Sequence, residues 1–169
     1  MELCVDVIKR QAASHAFQPA GRCGRPALAP GPGHRGTAGH GGEAMRQEID
    51  AGLPEPRQPF AWAIRSGGLI FTTHGPVRPD GTILQTGIRE QARLALENLR
   101  RTMEQAGGSL DGVVQATVYL LDAADMAPVD EVYREFFQPP YPNRASVVVA
   151  GLVAPGMRFE IQAIAALPG

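Results

Sequence analysis

Residues 88–121, IREQARLALENLRRTMEQAGGSLDGVVQATVYLL, hold a helix, its stop and a strand in direct succession. Ile88, Ala92, Ala95, Leu96, Leu99 and Met103 recur at three- and four-residue spacing, which is one face of an amphipathic helix of about five turns. Gly107-Gly108 stops it, because glycine takes the left-handed C-terminal conformation without strain. Residues 113–121 are rich in β-branched and aromatic side chains and predict a strand. Helix and strand each need a partner for their apolar face, so the flanking segments have to supply the rest of a layered core.

Upstream, AWAIRSGGLIFTT predicts two short strands joined at Ser66-Gly67-Gly68, a hairpin signature. Asp80-Gly81 marks a second turn, leading into a short strand over Thr82–Leu84. Downstream, Asp122 to Asp125 turns the chain, and Val129, Val132, Tyr133 and Phe136 give residues 126–137 helical spacing. Pro139, Pro140 and Pro142 end that helix. Two strands close the chain, at Ser146–Ala150 and Arg158–Ala166. Val147 to Val149 are apolar on both faces, as expected of a strand covered on both sides. The order ββ(β)αβαββ predicts an α+β fold in which two helices cover one face of a mixed sheet. The other face needs a cover, and a second copy of the chain is the economical one, so a homo-oligomer is expected.

Composition separates the first 44 residues from the rest. They carry eight Gly, four Pro, both cysteines (Cys4 and Cys23) and three of the four histidines (His15, His34, His40). The stretch from Gly21 to Gly42 has almost no apolar periodicity and predicts a disordered leader. Met45 stands as an alternative start. Two cysteines cannot build a disulfide framework or a four-ligand zinc site, and His34 and His40 sit among glycines without fixed geometry. A phosphate-loop reading of the leader fails for want of a Lys-Ser/Thr ending. Residues 45–169 form the second region, with no cysteine and one histidine, His74. They carry 11 arginines against 14 acidic residues, a net charge of −3, which speaks against nucleic acid as a partner. No apolar run approaches the ~18 residues of a membrane span, and the expected compartment is the cytoplasm.

The pieces GGLIFTT from Gly67, IREQARLALENL from Ile88, AGGSLDGVV from Ala106, VYREFF from Val132, NRAS from Asn143 and FEIQAIA from Phe159 occur in one order at characteristic spacing. From about Pro59 to Leu167 the chain thereby resembles the Rid/YjgF family of enamine/imine deaminases (RidA-like). The resemblance implies a six-stranded mixed sheet with two helices on one face, the chorismate-mutase-like fold, assembled as a homotrimer around a central barrel. It implies ligand clefts between subunits and hydrolysis of 2-imino acids, formed from enamines, to 2-keto acids and ammonia, without metal or cofactor.

That chemistry asks for a carboxylate anchor, and a planar guanidinium grips a carboxylate through two parallel hydrogen bonds. Arg144 matches the family's carboxylate-binding arginine, and Glu160 matches the glutamate that orients or activates water. An imine carbon is already electrophilic, so positioning water and handling protons suffice. Thr73 matches the family's serine, Ser146 stands where many members have cysteine, and backbone near Arg144 and Ser146 would hold the nitrogen. Phe60 replaces the tyrosine of a GPY motif, keeping the ring without the hydroxyl. Asp130 replaces an asparagine of the second helix. His74 falls near the site as a proton carrier or a plain loop residue. From the residues alone, Arg144 is equally an ion-pair partner at a strand start, and Glu160 a solvent-facing residue of an alternating strand. The leading expectation is a deaminase; the alternative is a non-catalytic sensor of small keto acids, which Phe60 and Asp130 favour.

Overall fold

The computed structural model describes residues 45–168. The expectations for the leader lie outside the described residues. In chain order the elements are β1 (Gln47–Glu48), β2 (Ala63–Ser66), β3 (Leu69–His74), α1 (Ile88–Gln105), β4 (Val113–Leu120), α2 (Met126–Phe136), β5 (Asn143–Val148) and β6 (Phe159–Ala166). One six-stranded sheet runs in the order β1-β2-β3-β6-β4-β5. Every pair is antiparallel except β4 and β5, which run parallel. A parallel pair needs a crossover, and α2 provides it. The expected α+β architecture, a mixed six-stranded sheet with two helices, is the observed one.

The local chemistry follows the sequence. Ser66 pairs with Leu69, so β2 and β3 are joined by two glycines, and Gly67 takes the positive φ of 58° that a two-residue hairpin requires. At the end of α1, the Gly107 amide donates to Glu104 O at 3.0 Å and the Gly108 amide to Met103 O at 2.9 Å. With Gly107 at φ 82°, this is the paired-bond stop in which a left-handed residue satisfies the last free carbonyls.

The helix-facing core contains Leu96, Leu99 and Met103 of α1, Val129 and Val132 of α2, and Ile70, Val118, Phe159 and Ile161 of the sheet. Alternation puts Leu69, Phe71 and Thr73 of β3 and Glu160, Gln162 and Ile164 of β6 on the opposite face, which no helix covers among the described residues. Gln91 of α1 is buried and pins three backbone groups. Its Nε2 donates to Leu84 O at 2.9 Å and to Gly156 O at 2.8 Å, and its Oε1 accepts from the Arg158 amide at 2.8 Å. These bonds hold the loops before α1 and before β6 against the helix.

Three expectations are corrected. Thr82–Leu84 is not a strand: Ile83 makes one isolated bridge to Val77, and the Asp80 carboxylate accepts from the Thr82 amide at 2.9 Å, closing a local turn. The sixth strand is β1, whose two residues are too few to show a period. Finally, β5 begins at Asn143 and lies at the sheet edge, where Val147 and Val148 are 42% and 53% exposed rather than covered on both sides. Pairing with β4 draws polar Asn143 and Arg144 into the strand, a tertiary effect that propensity does not carry.

Candidate functional site

Arg144 is the second residue of β5 and pairs with Ala116 of β4, whose side chain is buried under the helices. Arg144 therefore leans to the helix side and meets α2. Its Nη2 donates to Asp130 Oδ1 at 2.7 Å, and its guanidinium carbon lies 4.7 Å from the centroid of the Tyr133 ring. Tyr133 in turn stacks on Phe137 with centroids 4.3 Å apart. Asp130, Tyr133 and Arg134 stand at i, i+3 and i+4, so one face of α2 presents all three to the strand. Together with Tyr141, Pro142 and Arg144 they line a cleft of about 320 Å³. The Tyr133 hydroxyl is buried and has no partner among the described residues. Burial pushes its pKa up to about 12, so it stays a neutral donor. Ser146 follows Arg144 by two residues, on the same side of β5, and is exposed.

Glu160 occupies a different place. It pairs with Tyr119 on the uncovered face, where its Oε1 accepts a hydrogen bond from Thr73 Oγ1 at 3.0 Å. Tyr119 and Gln162 continue the polar strip, with the Tyr119 hydroxyl 3.4 Å from Gln162 Oε1. Phe60 lies before β2, 42% exposed, with its edge against Trp62 at a centroid distance of 4.9 Å.

His74 is neither in a loop nor in the cleft. It is the last residue of β3, fully buried on the helix side. Its ring lies parallel to Trp62, and its Nε2 is 2.7 Å from Thr72 Oγ1. The Thr72 hydroxyl donates to Trp62 O at 2.9 Å, so it accepts from His74, which fixes the proton on Nε2. Burial lowers the pKa of His74 to about 3 and keeps it neutral. His74 pairs with Ile161, next to Glu160, but its ring faces the helix-side core while Glu160 faces the other side of the sheet, so the expected loop position is corrected to the end of β3.

Thus the fold brings Thr73 to Glu160, and Arg144 to Asp130 and Tyr133. It does not bring Arg144 to Glu160. Their strand rows, at Ala116 and Tyr119, are three residues apart, about 10 Å along the strand. An odd offset also puts them on opposite faces of the sheet. Tyr133 and Tyr141, which line the cleft, are not among the expected site residues. The i, i+3, i+4 spacing of Asp130, Tyr133 and Arg134 on α2, facing an Asn-Arg strand start, is a pattern that points to Tyr133, and no such pattern singles out Tyr141.

A mixed sheet of this order with two helices on one side defines a Rid-type α+β domain. The chain belongs to the Endoribonuclease L-PSP family (YjgF/Rid), whose profile matches residues 51–167. Deaminases are among its relatives. The 2-iminobutanoate/2-iminopropanoate deaminase of Bos taurus is 41% identical over 117 residues, 68% of this chain and 85% of that protein. The mitochondrial protein mmf2 of Schizosaccharomyces pombe is 38% identical over 110 residues, 64% of this chain and 87% of that protein. The crystal structure of Escherichia coli TdcF with bound serine superposes with a TM-score of 0.66 at 34% identity, covering 72% of this chain and 99% of that one. Among the described residues, no helix is long and apolar enough to cross a membrane.

Proposed function

We propose that this protein is a hydrolytic deaminase of reactive 2-imino/enamine acids. Water adds its oxygen to the imine carbon and its proton to the nitrogen. The remaining O–H proton then passes to the nitrogen as the C–N bond breaks and the C=O bond forms, and a 2-keto acid and ammonia leave. The carrying observation is the Arg144 guanidinium over Tyr133 at the mouth of an open cleft, a ready grip for a small carboxylate. Glu160, hydrogen-bonded by Thr73, is the group that positions or activates the water. Ser146, two residues beyond Arg144, and Phe60 are the further residues proposed to contact the substrate. The electrophile is the substrate itself, so the proposed reaction uses no cofactor.

Arg144 and Glu160 face away from each other within one chain, so the proposal needs a second copy to complete each site. A homotrimer with shared clefts meets that need, and the apolar Leu69 and Phe71 on the uncovered face suit such packing. The proposed compartment is the cytoplasm, and neither nucleic acid nor membrane is a proposed partner.

The test couples the protein to a pyridoxal-phosphate enzyme that releases imine from an amino acid and measures the acceleration of keto-acid formation. Arg144→Ala is expected to lower kcat/KM about 100-fold, the loss of two charge-assisted hydrogen bonds to the substrate. Full activity of the variant overturns the site. A second reading, a sensor of small keto acids without turnover, is favoured by Phe60, which carries no hydroxyl. Saturable binding with no turnover on a panel of imines selects it.

A further inference from the structure

Asp130 sits beside the guanidinium on which the proposed function depends, and any role for it in ligand choice rests on that reading. The carboxylate engages one corner of Arg144, through Oδ1 and Nη2 at 2.7 Å. Among the described residues, its Oδ2 takes no donor, and Nε and Nη1 of Arg144 find no acceptor. The two side chains are 31% and 23% exposed, so both open onto the cleft. A small acid arriving at the free corner of Arg144 therefore meets a fixed negative charge next to the positive one.

The Asp130 carboxylate opposes the approach of a plain anion to that corner and offsets part of the pull of Arg144. An α-ammonium or α-iminium acid escapes that opposition: its nitrogen is bonded to the carbon that bears the carboxyl group. With the carboxylate on Arg144, the N–H group faces the free Oδ2 and donates to it. Arg134 also lines the cleft, so the formal charge of its side chains stays positive and continues to attract acids. The attraction selects an acid, and Asp130 selects what is attached beside it. We propose that Asp130 is a specificity-determining residue that makes the cleft prefer zwitterionic α-amino and α-iminium acids over the matching 2-keto acids. In the proposed reaction the entering iminium acid keeps both contacts, whereas the keto product keeps the arginine and loses the partner of Asp130. The same charge that admits substrate thereby promotes release of product.

The experiment titrates the full chain with two three-carbon probes, L-alanine and pyruvate, by isothermal calorimetry or ligand-observed NMR. Wild type is expected to bind L-alanine at least about tenfold more tightly than pyruvate, and Asp130→Asn to reduce that ratio by about tenfold or more. Asp130→Glu, which keeps the charge, is expected to retain the preference, and circular dichroism checks that both variants fold. Equal affinity in wild type, no binding of either probe, or an unchanged ratio in folded Asp130→Asn overturns the inference. Imine turnover measured in parallel separates the two levels. An Arg144-dependent turnover with an unchanged probe ratio sinks the role of Asp130 alone, whereas loss of Arg144 dependence sinks the proposed function with it.

Discussion

The buried imidazole of His74 gives the protein a pH-dependent stability that a single substitution removes. The ring is fully buried, stacked on Trp62, and its Nδ1 has no hydrogen-bond partner among the described residues. Protonation would place a charge in the core and a donor at Nδ1 with no acceptor. The folded protein therefore holds the pKa near 3, against an ordinary value of 6.5. Between these values the unfolded chain binds a proton that the folded chain refuses, so stability rises with pH, by about 1.4 kcal/mol per unit. The contribution is complete above about pH 6.5 and is lost as the pH falls toward about 3. From pH 7.5 to 4.5 the loss is about 2.7 kcal/mol. His74→Gln removes the titration while keeping an N–H that can donate to Thr72. Urea unfolding of both proteins at pH 7.5, 5.5 and 4.5 measures the difference, with the variant serving as the baseline for every carboxylate. Wild type is expected to lose about 2.7 kcal/mol more than the variant between the two ends. Parallel profiles would refute the reasoning, because a histidine that titrates normally when folded creates no such slope.

Two further outcomes concern the scaffold. Gln91→Leu strips partners from Leu84 O, Gly156 O and the Arg158 amide, and about 3 kcal/mol of stability is expected to go in urea unfolding. Faster hydrogen exchange at the Arg158 amide accompanies it. Gly112→Ala puts a Cβ 2.5 Å from the Ala166 carbonyl oxygen, a backbone atom that cannot swing aside, and a loss of about 1–3 kcal/mol is expected by the same method.

The amphipathic stripe of α1 and its Gly-Gly stop are readable because each residue of the pattern meets one layer and one turn. The same holds for β6, where Phe159, Ile161, Ala163 and Ala165 are buried and alternate with Glu160 and Gln162. Alternation also bears on the site: His74 has the parity of Ile70 and Thr72, which assigns it to the core with them. What sequence does not show are pairings made by distant strands. β1 exists because β2 offers it an edge, and Asn143 joins a strand because β4 lies alongside. The hydrogen bond from Thr73 to Glu160 belongs to the same class, since it depends on the register of β3 against β6. The two pairs of Arg144, with Asp130 and with the Tyr133 ring, need the crossover of α2 over the β4–β5 edge.

The main-chain layer of the sheet stands as a partition between the cluster around Arg144 and the cluster around Glu160. Each borrows its rigidity from the same hydrogen-bonded ladder, yet neither touches the other's neighbours. Substitutions at Asp130, Arg134 or Tyr141 can retune which acid is held while the polar strip of Thr73, Glu160 and Gln162 stays untouched, and the reverse is equally open. Within one chain, selection can therefore change either surface without rebuilding the other, and only the packing of copies in the proposed assembly ties the two together.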